Sequence, residues 1–468
     1  MVFSSAIFLF CFLPLVFLLY QLPFGRRWEN LLLAAASLVF YAFGNLRYVP
    51  LFLCSILLNY LTGLLLGTRF PKSRAVITLN IVLNLGILSV YKYTDFLIGN
   101  LNAVFGLSLE PVGLILPIGI SFFTFQGLSY TIDVYRRPEE YSRSFLKLLL
   151  YISFFPQLIA GPIVRWGDIS SQIDSRSCTA ERTSSGIRRF IVGLSKKLLL
   201  ADTAAVVVDA VFSAGIPDAR LAWLGGICYT LQIYYDFSGY SDMAIGMGRM
   251  FGFSIRENFL FPYTAVSIRD FWRKWHVSLS TWFREYLYFP LGGSRCGRGR
   301  AALNRLIVFF CTGLWHGANW TFVLWGLGHG LLSSLEGSGL IPVERLKKSA
   351  PGRVLCRVYT LLSVMLLFTL FRADSVTQGF GMIAAMFRFR ALPAAAVLLG
   401  KLSAPALCVV LGTALLLALD AGGGKVHAYL TEVCSSELVP DLCCLLLLAL
   451  SVMSLAQSGF HPFIYFQF

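Results

Sequence analysis

Charge is what this sequence has least of. Only 13% of its 468 residues are Asp, Glu, Lys or Arg, while 57% are apolar. Soluble domains carry about 25% charged residues, so this chain lacks the polar groups to cover a water-facing surface. Its apolar excess must face lipid. Acidic residues are the scarcer sign, 24 against 39 Lys and Arg, for a net charge of +15. A basic balance suits either nucleic acid or the anionic leaflet of a membrane. The charges lie mainly between apolar runs, with no basic tail and no nucleic-acid motif, which selects the membrane. The short alternating segments of a β-barrel are missing too. The eleven cysteines are odd in number and follow no pattern, against a disulfide framework. Residues 2–20 lack a basic leader and a small-residue cleavage site, so the first apolar run reads as a retained span.

What is present is a series of apolar runs near the ~20 residues that cross a bilayer. They cover residues 2–20, 29–46, 49–67, 75–93, 113–133, 146–164, 190–212, 221–236, 303–336, 354–371, 404–420 and 440–457. The 303–336 run is long enough for two spans. The pattern predicts an all-α polytopic integral membrane protein with roughly 11–12 transmembrane helices. Arg26 and Arg27 follow the first span. Arg69, Lys72 and Arg74 follow the third, and Arg136, Arg137, Arg143 and Lys147 follow the fifth. Positive loops stay inside, so these loops are expected to be cytoplasmic and the N-terminus external. Segment 237–302 breaks the pattern. It is aromatic yet carries nine Lys and Arg residues, among them Arg273, Lys274, Arg295 and Arg298. Segments of this kind lie in the interface or re-enter the protein body. No repeat or linker divides the chain, so residues 1–468 read as one domain.

Rare, chemically capable residues concentrate in one region. Six of the nine tryptophans lie between Trp272 and Trp325, with His276 and His316 among them and His329 four residues beyond. Placed on a helix, Phe271 to Leu287 gathers Trp272, Trp275, His276, Leu279, Trp282, Phe283, Tyr286 and Leu287 within about 140°. Arg273, Lys274, Val277, Thr281, Arg284 and Glu285 take the other side. His276 thus belongs to the aromatic face. A neutral imidazole there can accept a proton or orient a thioester; it can equally be a packed histidine bonded to a carbonyl. His316 lies inside an apolar, glycine-rich run, CTGLWHGANWTFVLWGLGHG. Ionisable groups in such runs are functional hypotheses by default, and a histidine near neutral pKa suits a general base. The alternative is a histidine that bonds across helices. His329 would lie about 220° round and ~20 Å along a continuous helix, which suggests a structural role.

Other chemistries find little support. The histidine spacing fits no compact zinc pattern. There is no G-x-S-x-G elbow and no P-loop. Ser238 and Cys296 are weak nucleophile candidates. Asp236 and Asp242, in YYDFSGYSDMAIG, can relay protons, cap helices or pair with nearby arginines.

Three stretches together carry a resemblance: YYDFSGYSDMAIGMGRMFGF, FWRKWHVSLSTWFREYLYFPLGGSR and LWHGANWTFVLWGLGHG. With LPIGISFFTFQGLSYTIDVYR at 116–136, FFPQLIAGPIVR at 154–165 and the terminal FIYFQF, they make the chain similar to the membrane-bound O-acyltransferase family, in its alginate O-acetyltransferase branch. The resemblance implies a helical body with a funnel or pore across the membrane. It assigns the paired histidines to His276 and to His316, the position regarded as catalytic. Trp272, Trp275, Trp315, Asn319, Arg295 and Arg298 are the candidate substrate-binding residues. No tightly bound cofactor and no metal are implied. The expected donor is acetyl-CoA, used from the cytoplasm of a bacterium whose inner membrane holds the protein. The expected partners are a polysaccharide acceptor and a separate extracytoplasmic SGNH-type acetyltransferase. A D-alanyl transferase fed by an acyl carrier protein is the nearest rival, and the PLGGSR run at 290–295 resembles the alginate branch more. A transporter is the rival of another class, but it would more often show repeats with matching broken helices.

Overall fold

The computed structural model describes residues 1–159, 161–215, 217–388, 393–421, 438–457 and 463. Among them the regular structure is entirely helical, as a chain in lipid requires when every backbone group must be satisfied within its own segment. Short polar side chains start many of the helices. Ser73, Thr179, Asp218, Ser267 and Ser375 each accept a bond from a backbone N–H in the first turn.

Among the described residues five helical stretches are long and apolar enough, by length and composition, to cross a membrane: Arg26–Gly67, Arg74–Phe105, Ala350–Arg372, Ala395–Thr413 and Val439–Gln457. Other expected spans take different shapes. Run 113–133 is helical only from Ile120 onward, and run 146–164 divides into Phe145–Ser153 and Phe155–Leu158. The 303–336 run is indeed two helices. Part of the terminal FIYFQF, residues 464–468, lies outside the described residues. Phe463 sits 4.7 Å from Tyr240 between ring centroids.

Around the site stand α1 (Arg74–Phe105), α2 (Ile120–Arg136), α3 (Ala180–Ser195), α4 (Ala219–Met250), α5 (Ile268–Lys274), α6 (Val277–Phe283), α7 (Arg298–His316), α8 (Trp320–Ser338) and α9 (Ala350–Arg372). Helix α4 is central and largely buried. It meets α3 at backbone distance: a Cβ on Gly239 would come 2.6 Å from the Gly193 carbonyl, and one on Gly246 2.6 Å from that of Gly186. Small residues permit such crossings in a bilayer.

One face of the molecule is basic. There Arg136 donates to the Glu285 carbonyl at 2.9 Å, and Arg165 holds both Asp168 and Glu285. At the other face Trp320 Nε1 donates to Asn100 Oδ1 at 2.8 Å and Tyr48 to the Ile115 carbonyl at 2.7 Å. Helix α7 runs from the basic face toward the other, and α8 returns.

Phe271 to Leu287 is not the continuous helix its periodicity suggests. It breaks between α5 and α6, with His276 at φ 44° and ψ 54°. The burial pattern nonetheless holds. Trp272, Trp275, His276, Leu279, Trp282, Phe283 and Tyr286 are buried, and Arg273 and Arg284 are exposed.

Candidate active site

The break at His276 places its imidazole. Left-handed backbone costs a non-glycine residue roughly 1–2 kcal/mol, so something must hold it. Segment 258–260 does so: Val277 N donates to the Asn258 carbonyl at 2.9 Å, and Leu260 N to the Lys274 carbonyl at 2.9 Å. The Asn258 side chain then organises the ring. Its Nδ2 donates to Ser241 Oγ at 3.1 Å, which orients the amide. Its Oδ1 accepts from Ser278 Oγ at 2.9 Å and lies 3.2 Å from His276 Nδ1. An acceptor there assigns the hydrogen to Nδ1 and leaves the lone pair on Nε2. The ring is fully buried and packs edge-on against Phe237, centroids 4.6 Å apart.

His316 is the last residue of α7, where the chain turns through 317–319 into α8. Its ring is enclosed by Trp315 at 4.9 Å, Trp325 at 5.0 Å and Phe371 at 5.3 Å. The Trp315 ring is also 6.0 Å from that of His276, so one indole touches both histidines. His316 and Trp315 form the wall of a narrow cavity whose other polar side chains are Lys92 and Ser121. Lys92 and Leu116 also belong to an outer vestibule with Asp95 and Asn319. The cavity therefore continues toward the face opposite the basic one.

A second recess approaches from the basic side. It lies between α5, α6 and the α7–α8 pair and is lined by Arg269, Arg273, Arg284, Arg305, Trp272 and Thr312, among others. Thr312 is four residues before His316, about 6 Å along the helix axis. Two recesses from opposite faces thus approach within about one turn of α7.

The expected site residues distribute over these features. His276, His316 and Trp315 cluster at the centre. Trp272 lines the arginine recess. Trp275 stacks on Phe271 in the aromatic core, centroids 5.4 Å apart. Asn319 caps α8 by accepting from Thr321 N at 3.1 Å and lines the vestibule. Arg295, in the turn before α7, and Arg298, the first residue of α7, are exposed and outside the recess that Arg305 enters. His329, on the returning helix, is buried 5.2 Å from Trp325, which stands between it and His316. Asp242 pairs with Arg189 and Lys196 at 2.7 Å each, and Asp236 with Lys197 at 3.0 Å. Neither caps a helix, since both lie inside α4. Cys296 is exposed near the start of α7. No group of three potential metal ligands occurs among the described residues.

Sequence reasoning passed over Lys92 and Asn258. Lys92 carried a signal, as a cation inside an apolar helix. Asn258 carried none, for its value depends on a partner 18 residues away. Asn258→Ala is expected to release His276 and leave Ser278 without its acceptor, a loss of about 1–3 kcal/mol for buried groups. Acyl transfer per inserted molecule should fall by about tenfold or more, measured against membrane abundance. Unchanged turnover would reduce Asn258 to packing.

An all-helical membrane body with two histidines where recesses from opposite faces converge suits an integral membrane acyltransferase. The sequence profile of the MBOAT, membrane-bound O-acyltransferase, family matches residues 41–375, and the chain belongs to that family. It is 38% identical to the "Probable alginate O-acetylase AlgI" of Azotobacter vinelandii, over all of both chains. It is 35% identical to the peptidoglycan O-acetyltransferase of Helicobacter pylori, over 82% of this chain and 80% of that one. The teichoic acid D-alanyltransferase of Bacillus subtilis matches at 28% over 47% of this chain and 59% of its own length.

Proposed function

We propose that this protein is an O-acetyltransferase of the bacterial cytoplasmic membrane. It takes an acetyl group from a cytoplasmic thioester donor, acetyl-CoA, for O-acetylation of an extracellular or cell-wall polysaccharide such as alginate. The observation that carries this reading is the convergence on α7: an arginine-lined recess on the basic side reaches Thr312, and a cavity from the other side reaches His316. The basic side is cytoplasmic by the positive-inside rule. Arg269, Arg273, Arg284 and Arg305 suit the phosphates of CoA, while Trp272, Leu279, Phe283 and Phe309 give its thioester arm an apolar wall. His316 acts as base on the attacking hydroxyl. His276 orients the reactants. The whole chain works as one domain, and its product passes to an extracytoplasmic SGNH-type acetyltransferase. The names of the relatives at 35% and above support acetyl over other acyl groups.

Radiolabelled acetyl-CoA supplied to inverted vesicles tests the donor and the side together. Label should reach the acceptor. Arg273→Glu with Arg305→Glu should raise the donor KM about tenfold or more, as expected when two charge-assisted contacts of about 1.5–3 kcal/mol each become repulsive, with insertion unchanged. Arginines that only anchor the protein to anionic lipid would instead lower abundance and leave KM alone. Transfer from an aminoacyl carrier protein, with none from acetyl-CoA, would replace this reading by D-alanyl transfer.

A further inference from the structure

Lys92 lies in α1, about 27 Å from the start of that helix and ~20 Å from its end, where a cation is costly. Among the described residues no carboxylate lies within ion-pair distance of it. Its Nζ donates instead to the carbonyl of Trp315, the residue before His316, and lies 3.5 Å from Ser121 Oγ. An ammonium has three N–H donors. The two contacts leave a third for the cavity that Lys92 shares with His316, Trp315 and Ser121. Among the described residues Lys92 is the one Lys or Arg in that cavity wall.

Acyl transfer to a hydroxyl places a negative charge in such a cavity. The acceptor oxygen bonds to the thioester carbon, its proton passes to His316, and the carbonyl π electrons move onto oxygen. That oxyanion then collapses, the C–S bond breaks, and the leaving thiolate takes the proton back from the imidazolium. With His316 occupied as base, the oxyanion needs another donor.

We propose that Lys92 is a catalytic residue whose ammonium donates to the oxyanion of the tetrahedral intermediate, with Ser121 beside it. This rests on the acyl-transfer reading above. The cation opposes protonation of His316 on its own, but not once an anion forms between the two groups. Proton transfer and bond formation are thereby coupled. The Trp315 carbonyl keeps Nζ at the cavity wall.

Lys92→Met in membrane vesicles supplied with radiolabelled acetyl-CoA tests the assignment. The expected result is a fall in kcat of about 10²–10³-fold, the usual effect of losing an oxyanion donor, with donor and acceptor KM near wild type. Ethylammonium should partly restore Lys92→Ala. Tyr93→Phe is the control, because Tyr93 Oη donates to the neighbouring Leu314 carbonyl at 2.8 Å and secures the same helix end. It should leave kcat close to wild type. If Tyr93→Phe and Lys92→Met fall together, Lys92 merely clamps α7 and the assignment fails. It fails equally if Lys92→Met keeps kcat, whether unchanged throughout or raising only the acceptor KM. A wild-type protein that moves no label overturns the donor assignment instead, so the two failures are distinct.

Discussion

Replacing His316 by Ala or Gln is expected to lower acyl transfer by about 10²–10⁴-fold, the contribution of a general base, while the protein still accumulates in the membrane. The expectation rests on its position. His316 ends α7 at the wall of a cavity that also holds Lys92 and Ser121, with aromatic rings on three sides. Among the described residues, the other polar side chains in that wall are those of Lys92, Ser121 and Trp315, so His316 is its one imidazole. The Gln variant matters because it fills much of the same volume and keeps polar atoms, so a loss of turnover there cannot be assigned to a void. The measurement is label transfer per inserted molecule. Wild-type turnover in both variants would remove His316 from the chemistry and turn attention to His276.

Gly326→Val should be as severe by a different route. A Cβ at Gly326 would stand 2.3 Å from the Phe309 carbonyl, and one at Gly313 2.4 Å from the Phe322 carbonyl. These contacts are to helix backbone, which cannot rotate aside. The variant must push α8 away from α7. Overpacking costs about 1–3 kcal/mol even where side chains can adjust, and here the shift also separates Trp325 from His316. Turnover should be lost, with a lower melting temperature in detergent. Gly299→Val, in the first turn of α7 with open space around it, should be nearly silent. A Gly326→Val protein with wild-type stability and turnover would mean that α7 and α8 do not meet at backbone distance.

The legible part of the site was the part written in local chemistry. Rare residues in an apolar setting marked His276, His316 and Trp315. Periodicity separated buried Trp272, Trp275, His276, Leu279, Trp282, Phe283 and Tyr286 from exposed Arg273 and Arg284, although no single helix exists there and Lys274, Val277, Thr281, Glu285 and Leu287 are half-buried. Hydrophobic spacing reports which side chains leave water, and it survives a kink that keeps both halves on one surface. The arginines show the limit of local spacing. Arg295 and Arg298 neighbour the motif in sequence, but the recess is made by Arg269, Arg273, Arg284 and Arg305, which α5, the turn after α6 and α7 bring together.

Composition and motif by themselves determined that this chain lives in lipid, is helical and belongs with the membrane acyltransferases. Too few charges exist to face water, and the motifs are long and specific enough to leave little room for another family. The tertiary structure alone decided the working geometry. The left-handed turn at His276 exists because segment 258–260 bonds across it. The cation beside His316 comes from Lys92, 223 residues before the carbonyl it holds. Such pairings are set by how helices cross and pack, and neither residue spacing nor propensity encodes a contact between segments so far apart.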